Sequence, residues 1–121
     1  MKSPTLLHSF RFACEGIAHA FTTQRNFKIH AAISAVVLIA GFVLRISSEQ
    51  WAIVAVTVAL VFQAELFNTA LEAVVDHVSP EFHALAKVAK DCAAGAVFIT
   101  AVISVVVGAL LFAPPLLALV R

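Results

Sequence analysis

Charged residues are scarce in this chain: they make up 12% of its 121 residues, against a usual share of about 25%. With 62% of the chain hydrophobic, a soluble domain of this length cannot hide so much apolar surface. An all-α integral membrane protein of a few helices, built as one domain over residues 1–121, is the expected class. Neither sign of charge dominates either. A net charge of +1 gives no bulk electrostatic reason to expect nucleic acid as a partner. Cysteine is nearly missing: Cys14 and Cys92 have no metal-ligand spacing and make no disulfide framework. They are expected as free thiols packed among helices. The five histidines, His8, His19, His30, His77 and His83, are scattered and form no convincing metal set. No glycine-rich phosphate loop occurs, so any nucleotide must be held by side chains and metal. The opening Met-Lys-Ser-Pro leads into an amphipathic stretch rather than an apolar run with a cleavage site, so no secretory signal peptide is expected. There is no clear repeat and no low-complexity tract.

What remains reads as helices. After a short polar lead over 1–5, apolar residues recur in steps of three and four at Leu6, Phe10, Ala13, Cys14, Ile17 and Phe21. That predicts an amphipathic helix over 6–21, lying in the membrane interface or packed on its own protein, two readings that are compatible. Thr22 to Asn26 is polar and predicts a turn. A first span is expected over 27–46, with Lys28 and Arg45 snorkelling at its ends to extend a short uncharged middle. Ser47 to Gln50 predicts a tight connection, and Trp51 an interfacial anchor that opens the second span. Ser79-Pro80-Glu81 predicts a helix start with a cap, a proline at the first position and an acid in the first turn. A short polar connection should follow, then a third span over 95–112 that Pro114-Pro115 ends or kinks.

The second span carries the chemistry. Its uncharged part, Trp51 to Ala64, covers only about 21 Å at 1.5 Å per residue, against a hydrocarbon core of about 30 Å. The span, expected over 51–70 and continuing as helix to 78, must therefore draw Glu65 and Asn68 into the membrane. Glu72 is left near the boundary and Asp76 beyond it. At 100° per residue Asn68, Glu72 and Asp76 share one narrow stripe, with Glu65 on its flank. Carboxylates there can hold a divalent cation, or serve as a base where burial favours the proton-bound form. The bland alternative is hydrogen bonding between helices, but four polar groups at one membrane boundary favour function. Lys90, just before the third span, is either a snorkelling anchor or a neutraliser of phosphate oxygens, and Asp91 either orients it or caps the span.

Lysine and arginine set the expected orientation. Lys2, Arg11, Arg25 and Lys28 precede the first span, and Lys87 and Lys90 lie between the second and third. Only Arg45 lies between the first two spans, and only Arg121 follows the third. The N-terminus and the 77–92 segment are expected in the cytoplasm and the C-terminus outside. The acidic stripe then faces the cytoplasm, and both cysteines lie on the reducing side.

Three blocks in this order, Arg25-Asn-Phe-Lys-Ile-His30, Glu65-Leu-Phe-Asn68-Thr-Ala-Leu-Glu72-Ala-Val-Val-Asp76 and Ala86-Lys-Val-Ala-Lys90-Asp91, resemble the prokaryotic diacylglycerol kinase and undecaprenol kinase family. The likeness covers nearly the whole chain. The first block and the Ala-Lys-Asp-Cys-Ala-Ala-Gly-Ala run look more like the undecaprenol kinase branch. The resemblance implies a three-span homotrimer of the bacterial cytoplasmic membrane with active sites shared between subunits. It also implies transfer of the γ-phosphate of ATP, with Mg²⁺, to a lipid hydroxyl. By position, Glu65 resembles the general base, Asn68 a residue that helps position it, and Glu72 a metal ligand. Asp76 lies where nucleotide binds, and Lys90 and Asp91 match the phosphate-contacting lysine and the acid beside it. The second metal ligand, commonly a glutamate before Arg-Asn-Phe, is here Gln24. An amide oxygen can coordinate Mg²⁺ but brings no charge.

Three functions are expected to compete. The first is a lipid kinase acting on undecaprenol, or on diacylglycerol. The second is a non-catalytic membrane assembly protein, which Gln24 favours. The third, a proton or ion carrier, is disfavoured because no acid lies in the first or third span to complete a relay.

Overall fold

The computed structural model describes residues 5–121. They form four α-helices: α1 (Leu6–Thr23), α2 (Arg25–Val43), α3 (Ser48–Val78) and α4 (Ala84–Val120). The expected polar lead, Lys2 included, lies outside the described residues except for Thr5, whose hydroxyl accepts the His8 N–H at 3.4 Å and caps α1. Three helices, α2, α3 and α4, are long and apolar enough to cross a membrane. At 1.5 Å per residue they measure about 28, 46 and 55 Å. Both α3 and α4 therefore outreach the hydrocarbon core of about 30 Å.

Several boundaries differ from expectation, each for a local reason. The polar stretch 22–26 is not an open turn. The Thr22 hydroxyl donates to the Ala18 carbonyl at 2.9 Å and that of Thr23 to the His19 carbonyl at 2.7 Å, which carries α1 to Thr23. Gln24 alone separates α1 from α2. α3 starts before Trp51, because Ser47 caps it: Ser47 Oγ accepts from Gln50 N–H at 3.2 Å and Gln50 Oε1 from Ser47 N–H at 2.9 Å, a reciprocal capping box. Ser79-Pro80-Glu81 does not open a helix. Ser79 Oγ donates to the Glu81 carbonyl at 3.1 Å instead of accepting a backbone N–H. Its own N–H closes α3 on Val75 O at 2.7 Å. The cap falls to His83, whose Nδ1 accepts from Leu85 N–H at 3.1 Å, so α4 begins at Ala84 and takes in the expected polar connection. Nor do the prolines end α4, which runs through Pro114 and Pro115 to Val120. The fixed φ of proline is itself helical, and the cost of keeping them is two ladder N–H groups and the crowding of each ring against the carbonyl four residues earlier.

The helix α3 is the axis of the molecule. It packs extensively along α4 and more lightly against α2 and α1. The aromatic ring of Phe27 on α2 lies 4.9 Å from that of Phe62 on α3 and meets Phe21 of α1 edge-on at 6.5 Å, centroid to centroid. Few residues are buried: Ala20, Phe27, Gly41, Val54, Val61 and one ionisable group, Glu65. None of α4 is. Cys14 and Cys92 are exposed on the single chain rather than packed among helices. For spans in a bilayer this is no contradiction, since lipid is as apolar as the side chains it touches.

The α2–α3 turn is the tightest joint. Ile46 N–H reaches Gly41 O at 3.2 Å and Arg45 N–H reaches Phe42 O at 3.3 Å, the two bonds of a Schellman ending. Arg45 occupies the left-handed position at φ 53°, where glycine is usual. The Trp51 indole then folds back over Gly41, and a methyl group on that glycine would meet the ring at 2.6 Å. Phe42 completes the cluster, its ring 4.8 Å from that of Trp51. We predict that Gly41→Ala pushes Trp51 off this corner and destabilises the protein by about 1–3 kcal/mol. A lowered unfolding temperature and a shifted Trp51 fluorescence maximum, Trp51 being the single tryptophan, would register it.

Candidate active site

A 31-residue helix without glycine or proline carries Glu65, Asn68, Glu72 and Asp76 on one rigid rod. Burial falls steeply along it. The Glu65 side chain is 3% exposed and that of Asp76 is 65% exposed, with Asn68 and Glu72 between them half-buried. A single helix face thus runs from a dry carboxylate to a wet one.

Each end of this face meets a different helix. Glu65 faces α2, where His30 Nε2 lies 3.1 Å from its Oε1. The approach is within ion-pair distance but off the line of a ring N–H hydrogen bond, so that oxygen has a basic neighbour and no aligned donor. His30 was not among the expected site residues. The signal that finds it is an ionisable side chain within the first span, which in a membrane helix is a functional candidate by itself. In the middle, Asn68 Nδ2 donates to Glu72 Oε1 at 3.2 Å, and Asn68 Oδ1 is buried with no partner. At the wet end, Asp76 accepts a short hydrogen bond from Lys90 Nζ on α4.

Lys90 precedes the uncharged run of α4. Its pKa is raised, chiefly by the Asp76 hydrogen bond. Desolvation opposes this, and the charges of Asp76 and Glu72 add to it. Asp91 neither orients Lys90 nor caps a helix. It sits inside α4 and pairs with Lys87 at 2.5 Å, one turn earlier. Around these pairs opens a recess of about 370 Å³, lined by Asp76, Glu81, Phe82, His83, Lys87 and Lys90 among others. It is open to solvent, and its lining sets three carboxylates, Asp76, Glu81 and Asp91, against two lysines that are both already paired with acids.

Gln24 stands apart. It is the hinge between α1 and α2, and its side chain hydrogen-bonds only to Thr23 Oγ1, at 3.5 Å. Among the described residues no three His, Cys, Asp or Glu side chains converge into a metal cage. Mg²⁺ does not need one, since it is usually bound by one or two carboxylates together with substrate phosphates. Asn68 turns its amide Nδ2 to Glu72 and leaves its carbonyl oxygen buried without a partner, and that oxygen and the Glu72 carboxylate are donors of the kind the ion takes.

Residues 11–112, which include every candidate residue named above, match the family described as Prokaryotic diacylglycerol kinase. A diacylglycerol kinase of Synechocystis is 50% identical over 97% of this chain and 67% of its own length. An undecaprenol kinase of Bacillus subtilis is 46% identical over 89% of this chain and 88% of its own. The diacylglycerol kinase of Escherichia coli K12 is 42% identical over 41% of each. With an acidic face graded from dry to wet on a membrane helix, and a match that spans that face and both helices against it, the chain belongs to the prokaryotic diacylglycerol kinase and undecaprenol kinase family and is a lipid kinase.

Proposed function

We propose that this kinase transfers the γ-phosphate of ATP, with Mg²⁺, to the hydroxyl of undecaprenol, with diacylglycerol as the second choice of acceptor. ATP use follows from membership of a kinase family. The preference for undecaprenol rests on the Arg25–His30 block, on the run from Ala89 to Ala96, and on a likeness to an undecaprenol kinase that covers nearly all of both chains. The reading as a whole is carried by one observation: the fall in burial from Glu65 to Asp76 along a single helix face. A lipid hydroxyl stays at the membrane boundary and ATP comes from water, so the residues serving them must straddle that boundary.

The division of labour follows the gradient. Glu65, at the dry end, takes the proton of the acceptor hydroxyl as its oxygen attacks the γ-phosphorus. Asn68 positions the reacting group and, with Glu72, would offer oxygens to Mg²⁺, which when bound would neutralise phosphate charge; Gln24, apart from them in the single chain, joins this set only by its place in the sequence. Lys90 and Asp76 hold the nucleotide at the wet end, with the Lys87–Asp91 pair beside them. Lys90, paired with Asp76 in the resting chain, shares or exchanges that contact for phosphate oxygens when nucleotide arrives. Little covalent chemistry is asked of the protein. Positioning and charge supply the rate, as in phosphoryl transfer generally. The excess of Lys and Arg before α2 and between α3 and α4 supports a cytoplasmic N-terminus and an outside C-terminus in the bacterial cytoplasmic membrane. The exposed length of α4 leaves it free for lipid or for other subunits and is compatible with the homotrimer that the resemblance implies, with α1 as a helix at the membrane surface.

Purified enzyme in detergent, given Mg-ATP, should phosphorylate undecaprenol faster than diacylglycerol or ceramide. The reverse order would move the acceptor assignment to diacylglycerol. Glu65→Gln should lower kcat by at least about 100-fold, the lower end of what a general base contributes, while leaving nucleotide binding intact. Gln24→Glu should lower the Mg²⁺ concentration for half-maximal rate by on the order of tenfold, about 1.4 kcal/mol. An unchanged Mg²⁺ dependence would remove Gln24 from the metal site.

A further inference from the structure

Glu65 is a carboxylate in the wrong solvent. Its side chain is 3% exposed, it sits in a helix long and apolar enough to span a membrane, and an unpaired buried charge is too costly to persist. Among the described residues only one basic side chain comes within 4.0 Å of it, and that is His30. The other ion pairs lie elsewhere: Lys90 is held by Asp76, Lys87 by Asp91, and Arg11 by Glu15.

The imidazole is itself well placed to act through Glu65. Its side chain is 18% exposed. It is anchored by the helix α2, whose Phe27, one turn earlier, packs on Phe62, one turn before Glu65. These rings fasten α2 to α3 on the faces that carry the two polar groups. His30 also stands at one end of a narrow slot of about 80 Å³ between α2, α3 and α4, lined by Ser34, Thr57, Val61, Ser104 and Gly108 among others.

We propose that His30 is a positioning residue for the transfer. Its imidazole, 3.1 Å from the buried Glu65 carboxylate, fixes the direction in which that carboxylate faces the acceptor hydroxyl. This rests on the reading of Glu65 as the base. His30 touches neither the nucleotide nor the reacting atoms. It acts on catalysis only through Glu65, so its loss affects turnover and spares binding.

The test is steady-state kinetics of the full-length enzyme in detergent with Mg-ATP and the lipid it prefers, alongside its unfolding temperature. His30→Ala should lower kcat by up to about 100-fold, the effect of misplacing a reacting group, with KM for ATP and for lipid unchanged. His30→Gln, which keeps a polar group at the same reach, should recover part of the loss. Imidazole added to His30→Ala should recover part as well, since the slot leads to the space the substitution opens. His30→Ala combined with Glu65→Gln should be no slower than Glu65→Gln alone, because two residues acting as a unit are not additive. Parental kcat in His30→Ala overturns the proposal. So does a loss in a folded variant that neither His30→Gln nor imidazole relieves, or one that adds in full to Glu65→Gln. If His30→Ala does not fold, the kcat-against-KM split of His30→Gln decides in the same way. A fully active Glu65→Gln overturns the assignment of the base itself. An inactive Glu65→Gln with a fully active His30→Ala overturns only the role of His30.

Discussion

A carboxylate held out of water constrains everything around it. Glu65 is the only buried charged residue among those described, in a chain that buries very little of anything. Isolated in hydrocarbon it would be strongly destabilising, so it must be paired, and the partner must come from another helix. That requirement sets α2 against α3. His30 supplies the basic group, the Phe27–Phe62 contact supplies the dispersion that holds the two helices at that spacing, and Ala20 of α1 is fully buried. The few buried residues thus cluster on α1, α2 and α3, while α4 leaves all of its surface to other contacts.

From that fixed point the rest of the site is set by helix geometry. A turn of α-helix rises about 5.4 Å, so the residues from Glu65 to Asp76 step from dry to wet without any loop. Loops are mobile, whereas a rod carrying four polar groups keeps their spacing under thermal motion. The wet end gains its definition from α4, which returns along α3 and brings Lys90 to Asp76. The connection between them, 79–83, is short because Ser79 closes one helix and His83 opens the next. This keeps the recess around Asp76, Lys87 and Lys90 narrow enough for both lysines to face it.

The stripe itself was legible in the sequence, because one helix period relates Asn68, Glu72 and Asp76 without any knowledge of the fold. The three spans were legible from hydropathy and length. Pairings between helices were not. His30 and Glu65 are distant in sequence, and a search of the histidines for metal spacing passes over a histidine whose partner is a single carboxylate. α4 begins at Ala84, so Lys90 and Asp91 lie on a helix and not in a connection before it. Read as loop, Lys90 and Asp91 are neighbours. On a helix, adjacent residues point about 100° apart and cannot pair, so Asp91 finds Lys87 on its own face and Lys90 finds Asp76 across the gap. The extension of α3 back to Ser48 was hidden for a similar reason. Ser47 and Gln50 look like loop residues until their reciprocal hydrogen bonds make them a cap.

Gln24 is the point at which charge counting matters most in the proposed site. A second carboxylate there would bind free Mg²⁺ more firmly but would also repel the phosphates that must come next to it. ATP in a cell already carries Mg²⁺, and the ion keeps phosphate oxygens as ligands throughout the transfer. A site with one carboxylate, Glu72, and neutral oxygens from Asn68 and Gln24 gives up affinity for the bare ion and lowers the repulsion met by the Mg-ATP complex. The loss of charge at Gln24 is therefore compatible with catalysis provided that metal and nucleotide arrive together. In that case a second acid would add to the carboxylates already at the wet end of α3, where Lys90 is paired with Asp76.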